Sequence, residues 1–245
     1  IFLKTGEPKI PTENNELAEY FHGNQGRYMR KWQHYFEAYE WHFQRFKGKP
    51  LHLLEIGCYH GGSLQMWRHY FGSQIHVHGV DIDVRCKQLE EAGVSIYIGD
   101  QGDDNFLSQL VSQLPPLDII IDDGGHFMHQ QIKSFDVLFP HLKDGGVYVC
   151  EDLHTSYWAS HGGGYRKRDT FIEMSKDLID QLNAWHSKDA ESFAVNEQTR
   201  HMHSLHFYDS MLVIEKRERT RPTEHESGKR VFDSDPTGEP YTKRV

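Results

Sequence analysis

From residue 51 onward, short apolar runs alternate with amphipathic stretches, and that rhythm predicts the architecture. The apolar runs are LHLLEIG (51–57), IHVHGVDID (75–83), SIYIGD (95–100), LDIIIDDG (117–124) and GVYVCED (146–152). Their length and β-branched content read as buried strands. Between them lie SLQMWRHYF (63–71), VRCKQLEEA (84–92), DDNFLSQLVSQL (103–114) and QQIKSFDVLFPHL (130–142), which carry helix-type spacing. Strict β/α alternation predicts a mostly parallel sheet covered by helices on both faces. A longer helical stretch follows at 169–185, and then SLHFY (204–208) and MLVIEK (211–216), separated only by Asp209 and Ser210. So short a connection allows an antiparallel hairpin but no parallel crossover. The expected fold class is therefore α/β: a doubly wound, seven-stranded sheet of five parallel strands followed by an antiparallel hairpin.

Ahead of the sheet, Trp32, Phe36, Tyr39, Phe43 and Phe46 recur at 4-3-4-3 spacing within 28–46 and predict one aromatic helix face. Such a face packs against the chain's own core or against a second copy, so a homo-oligomer is one expectation. The chain divides into an N-terminal helical extension (1–48), the sheet domain (49–217) and a polar C-terminal arm (218–245) dotted with Pro222, Gly228, Pro236 and Pro240.

Composition narrows the partners. A chain of 245 residues can bury one sizeable core. The formal net charge of −9 argues against a nucleic-acid backbone binder. No apolar run is long enough to span a bilayer, so no membrane partner is expected. The sequence opens on Ile1 with no signal-peptide pattern. Cys58, Cys86 and Cys150 show no metal-type pairing, and so sparse and odd a set suggests reduced thiols in the cytoplasm.

The candidate chemistry sits at the strand ends. Each of the five runs closes on a polar cluster: Glu55 with Gly57, Asp81 with Asp83, Asp100 with Gln101, Asp122 with Asp123, and Glu151 with Asp152. One acidic strand end is ordinary turn chemistry. Five at the carboxyl edge, where doubly wound sheets bind ligands, point to a site. In EIGCYHGGS, Gly57, Gly61 and Gly62 permit close backbone approach before a helix opens at Ser63. The spacing is not a dinucleotide fingerprint, and no Walker lysine follows. Asp81, 24 residues after Gly57, suits the two ribose hydroxyls of an adenosine. Each residue keeps a plainer alternative. Glu55 and Asp81 can cap helices, Gln101 can pin a turn instead of reading adenine, and Asp123 with His126 can close a turn.

The blocks LLEIG, GGSLQMW, GDQ, IIDDGGH, LFPHLKDGG and EDLHTSYW, within a stretch from Lys31 to Lys216, resemble the class I S-adenosylmethionine-dependent methyltransferases of Rossmann-like fold. Within that class the chain is similar to the metal-dependent sugar O-methyltransferases of macrolide and tetracenomycin glycosides and to the related cephalosporin hydroxylase branch. The resemblance implies S-adenosylmethionine and Mg²⁺ (or Mn²⁺) as cofactors and a small-molecule hydroxyl, on a glycoside, as acceptor. It implies Asp123, Glu151 and Asp152 as metal ligands and His126 as general base. Lys31, Glu55, Gly57, Ser63, Asp81, Asp100, Gln101 and Asp122 would form the cofactor side, with His129, His154 and Tyr157 as candidates for the acceptor pocket. The chemistry is coherent. A sulfonium methyl is already activated, whereas a sugar hydroxyl must be made nucleophilic, which a cation held by hard carboxylate oxygens assists. A histidine, with an ordinary pKa of about 6.5, suits the proton transfer. Two further readings compete. A non-haem iron hydroxylase would want two histidines and one carboxylate, but these strand ends are carboxylate-rich. A non-catalytic S-adenosylmethionine-binding protein would not need the base and metal residues.

Overall fold

The structure is a computed structural model that describes residues 15–232 and 234. Seven strands, β1 (Leu51–Ile56), β2 (Ile75–Asp81), β3 (Val94–Ile98), β4 (Leu117–Asp122), β5 (Leu142–Cys150), β6 (Met202–Tyr208) and β7 (Met211–Lys216), form one sheet of order β3-β2-β1-β4-β5-β7-β6. β1 to β5 pair in parallel, while β7 runs antiparallel to both β5 and β6. The apolar runs become central strands because both sheet faces are covered: Leu53, Leu54, Ile119, Ile120, Val147 and Tyr148 are all fully buried. β5 starts four residues before the expected run, joined across a register shift opposite Leu117 and Ile119. Register then decides the site. Ile56 pairs with Asp122 and Asp122 with Cys150, so Gly57, Asp123 and Glu151 leave the sheet side by side.

Among the described residues, seven α-helices surround the sheet: α1 (Glu16–Gly23), α2 (Tyr35–Phe43), α3 (Gly62–Phe71), α4 (Asp104–Gln113), α5 (Met128–Leu138), α6 (Phe171–Asn183) and α7 (Glu197–His201). Side-chain caps mark several starts: Asp103 accepts from the N–H groups of Asn105 and Phe106, and Thr170 from that of Glu173. α1, α2 and α3 share one core layer with one sheet face; α4, α5 and α6 share the other.

Two helical expectations differ from the structure. Residues 84–89 form only a 3₁₀ turn. Lys87 donates to the Ile96 carbonyl and Glu90 accepts the Ile96 N–H, drawing the segment tightly against β3. The aromatic helix begins at Tyr35, not near residue 28, because the preceding residues cross the sheet's carboxyl edge as a strap. That strap is fixed where the Tyr28 carbonyl accepts the Gly62 N–H (3.2 Å) and Gln65 Oε1 accepts the Arg27 N–H (2.9 Å). Trp32 is consequently off the helix and half-exposed, whereas Phe36, Tyr39 and Phe43 are buried inside this chain. Tyr39 and Phe43 pack edge-on against Trp67, with ring centroids at 5.3 and 5.8 Å. Burying a phenylalanine side chain contributes about 1.5–3 kcal/mol, so those three rings are committed to the fold and not to a partner.

All three cysteines are buried and unpaired. Among the described residues no helix is long and apolar enough to cross a membrane. Residues 218–232 form neither helix nor strand; the Arg219 N–H bonds the Arg200 carbonyl at 2.7 Å.

Candidate active site

A cavity of about 800 Å³ lies over the carboxyl edge, roofed by residues 28–32 of the strap. It opens where the strand order reverses between β1 and β4, the crevice in which open α/β sheets take their ligands.

One half is shaped by backbone. Gly57 has φ +93°, and a β-carbon there would stand 2.0 Å from the Asp123 carbonyl oxygen, so only glycine lets these two loops meet. A β-carbon on Gly62 would likewise strike the strap, 2.4 Å from the Arg27 carbonyl. Asp81 lines the cavity, and its two oxygens accept the N–H groups of Tyr59 and Asp83, both at 2.9 Å. A carboxylate has further lone pairs, so Asp81 can still accept from hydroxyls. Asp100 also lines the cavity, braced by the Gly102 N–H (2.7 Å) and the Gln130 amide (3.2 Å).

Beneath this half lie residues expected at the cofactor that the structure encloses instead. Asp122 is fully buried; Gln101 donates to it at 2.9 Å and Tyr148 stands at 3.4 Å. Burial pushes its carboxyl up to about 6. Gln101 also donates to Ser134 (3.1 Å) and accepts the Gly125 N–H (2.8 Å), so it braces the turn after β4 while one edge borders the cavity. Glu55 is fully buried, accepts from Ser63 Oγ at 2.7 Å, and is raised by burial.

The other half is acidic. Lys31, expected near a cofactor carboxylate, is only 2% exposed and sits among three protein acids: Asp123 Oδ2 at 2.7 Å, Glu151 Oε1 at 2.9 Å and Glu55 Oε1 at 3.7 Å. Burial alone would lower its ammonium, but Asp123, Glu151 and Glu55 outweigh that and hold it well above its ordinary value. Glu151 also accepts from Tyr39 Oη; burial, reinforced by Asp123 and offset by Lys31, pushes its carboxyl up to about 8. Glu151 therefore borders the cavity with its carboxylate tied to Lys31 and Tyr39. The third corner beside Asp123 and Asp152 is taken by His126, whose Nε2 lies 3.7 Å from Asp123 Oδ1 and 3.6 Å from Asp152 Oδ2.

The ligand atoms of Asp123, His126 and Asp152 all lie within 4.8 Å of one another. The two carboxylates offer hard oxygens that fit a divalent cation, while the imidazole stands just beyond hydrogen-bond reach of both and keeps its Nε2 lone pair free. His126 Nδ1 is buried without a hydrogen-bond partner. His126 and Asp152 both adopt left-handed backbone (φ +56° and +57°), a conformation that costs non-glycine residues about 1–3 kcal/mol and persists only where the surroundings impose it. Here Thr155 Oγ1 supports it, sharing its one hydroxyl proton between the carbonyls of His126 at 3.1 Å and Asp152 at 2.8 Å. Tyr35 Oη completes the brace, donating to Asp152 Oδ1 (2.8 Å) and accepting the Asp152 N–H (3.1 Å). The hydroxyls of Tyr35 and Tyr39 were not legible as site groups: Tyr39 read only as part of the aromatic stripe, and Tyr35 lies outside it. Gln131, which donates to the Glu151 carbonyl at 2.9 Å, left no signal at all. His129, His154 and Tyr157 do not border the cavity directly.

This strand order, terminal hairpin and edge crevice define a Rossmann-like methyltransferase fold. More particularly, residues 54–153 match the family described as a methyltransferase domain, and the chain is homologous to sugar O-methyltransferases of macrolide and tetracenomycin pathways. It is 36% identical over 188 residues to demethylmacrocin O-methyltransferase of Streptomyces fradiae, covering 73% of this chain and 47% of that protein. It is 36% identical over 191 residues to 8-demethyl-8-alpha-L-rhamnosyl tetracenomycin-C 2'-O-methyltransferase of Streptomyces olivaceus, covering 75% and 50%. Among solved structures, the MycE methyltransferase of the mycinamycin biosynthetic pathway, in complex with Mg, SAH and mycinamycin VI, superposes with a TM-score of 0.73 at 29% identity, covering 83% of this chain and 53% of that one. The chain spans about half the length of the curated relatives it matches.

Proposed function

We propose that this protein is an S-adenosylmethionine-dependent, divalent-metal-dependent O-methyltransferase acting on a sugar hydroxyl of a glycosylated small molecule. One observation carries the reading: the Asp123–His126–Asp152 cluster opens into the same cavity as Asp81 and the glycine turn. Asp81 and Asp100 would hold the adenosine end of the cofactor, and the backbone around Gly57 would let it lie close over β1. Asp123 and Asp152 would hold the cation, with Glu151 kept behind them by Lys31 and Tyr39. When bound, a divalent cation supplies positive charge that orients an acceptor hydroxyl and eases its deprotonation. His126 Nε2 would accept that hydroxyl proton, and S-adenosylmethionine, when bound, would supply the activated methyl group for the oxygen. A cytoplasmic setting agrees with three unpaired thiols.

The test is turnover of glycosides followed by mass spectrometry. EDTA should abolish methyl transfer and added Mg²⁺ or Mn²⁺ should restore it, and Asp123→Asn should lower activity sharply while calorimetric SAH binding persists. Full activity after chelation would sink the metal-dependent reading.

A further inference from the structure

We propose that Trp32, His154, Trp158, His161 and Phe127 form a stacking subsite for a neutral sugar ring, which rests on the reading above that the acceptor is a glycoside. The five rings make one continuous ribbon. Trp32 meets His154 at 5.9 Å between centroids, His154 meets Trp158 at 4.7 Å, Trp158 meets His161 at 5.5 Å, and His161 meets Phe127 at 5.1 Å.

The ribbon rides on the loops that carry the acidic cluster. Trp32 follows Lys31, Phe127 follows His126, and His154 comes two residues after Asp152. Those loops are rigidly joined, since Thr155 Oγ1 bonds the carbonyls of both His126 and Asp152 and the His154 ring bonds Ser210 Oγ. The Trp158 carbonyl in turn accepts the Gly163 N–H at 2.8 Å. A ligand stacked on the rings is therefore held at a fixed place relative to His126 and Asp152.

Exposure marks the ribbon as a surface waiting for a ligand. Trp32 is 51% exposed, Trp158 49% and Phe127 41%. Contiguous apolar patches of this kind mark binding surfaces. The chemistry of the rings then selects the occupant. A sugar ring is neutral and two-sided. Its C–H face matches the negative face of an aromatic ring, and its hydroxyl edge can turn to His126 and Asp152.

Saturation-transfer NMR on the full chain, with methyl α-L-rhamnopyranoside and methyl β-D-glucopyranoside as probes, reads this contact directly. Saturation should reach the ring C–H protons of at least one probe. Trp158→Ala should weaken that binding about 3–10-fold, the value of one aromatic contact, and Trp158→Phe should restore most of it. SAH affinity by calorimetry should not move in either variant. Equal signals from the parent and Trp158→Ala, or no signal from either sugar, would overturn the subsite. So would loss of a dimer in Trp158→Ala without any sugar signal, because the ribbon would then face a second copy. The two readings separate cleanly. Sugars that bind through Trp158 yet are never methylated would sink the methyltransferase reading alone. Glycosides methylated equally well by Trp158→Ala would sink only the subsite.

Discussion

Two groups of metal-type side chains occur among the described residues, and they share an inventory but not a situation: Asp123, His126 and Asp152 at the carboxyl edge, and His42, His206 and Glu215 where α2 crosses the hairpin. In the second group every polar partner is local and direct. His42 Nδ1 meets Glu215 Oε1 at 3.0 Å and its Nε2 meets Tyr208 Oη at 3.0 Å, while Arg45 supplies a counter-charge to Glu215 at 3.0 Å. Burial lowers the His42 imidazole, and although burial alone would raise Glu215, its bonds to Arg45 and His42 lower it. This is a closed latch between helix and sheet. In the first group the imidazole stands 3.6–3.7 Å from its carboxylates, beyond hydrogen-bond reach, on left-handed backbone beside an open cavity. Residue types alone do not separate a site from a latch. Whether the polar groups are already satisfied by one another does.

The sharpest break would come at His126. His126→Ala should cut methyl transfer about 10²–10⁴-fold, the usual contribution of a general base, with SAH affinity retained. The deficit should narrow as pH rises and the acceptor ionises unaided; a variant with normal turnover would make this cluster a latch as well. Next comes the floor of the same site. Asp122 is raised from 3.8 to about 6, so its contribution to stability is fully present below pH 3.8 and is lost as pH rises through about 6. That loss is roughly 3 kcal/mol on the scale of 1.36 kcal/mol per pH unit. Asp122→Asn should remove this pH dependence, seen in urea midpoints compared between pH 4 and pH 7; an unchanged pH profile would refute it.

The latch should behave in the opposite sense. His42→Ala should destabilise the fold by about 1–3 kcal/mol through unsatisfied Glu215 and lost packing, with little effect on KM for the cofactor. Because the His42 imidazole is lowered, its contribution is full above pH 6.5 and falls as pH drops below it, so the variant's deficit should shrink in mildly acidic urea titrations. The smallest effect belongs to Arg45→Ala. Its guanidinium is 41% exposed, and such a solvent-screened pair contributes about 0–1 kcal/mol, within reach of careful denaturant curves.

Much of this was written along the chain. The apolar runs were continuous because both sheet faces are covered, and the two-residue gap at Asp209–Ser210 permitted only a hairpin. The acidic strand ends were visible because parallel strands deliver all their carboxyl termini to one edge. The 3₁₀ turn at 84–89 was not visible, since its helix-like spacing was overridden by bonds from Lys87 and Glu90 to β3. Nor was the late start of α2, which depends on the strap meeting Gly62 and Gln65.

By itself, then, the sequence determined the sheet, its topology and the edge at which chemistry gathers, because these follow from periodicity, turn length and the handedness of crossovers. The tertiary structure decided which carboxylates face the cavity and which face one another. Neighbouring residues on one strand end point to opposite sides, so Asp122 was enclosed with Gln101 while Asp123 reached the cavity. The Glu151 carboxylate is tied up because Lys31 and Tyr39, 120 and 112 residues away in the chain, were brought against it by packing, which no local pattern encodes.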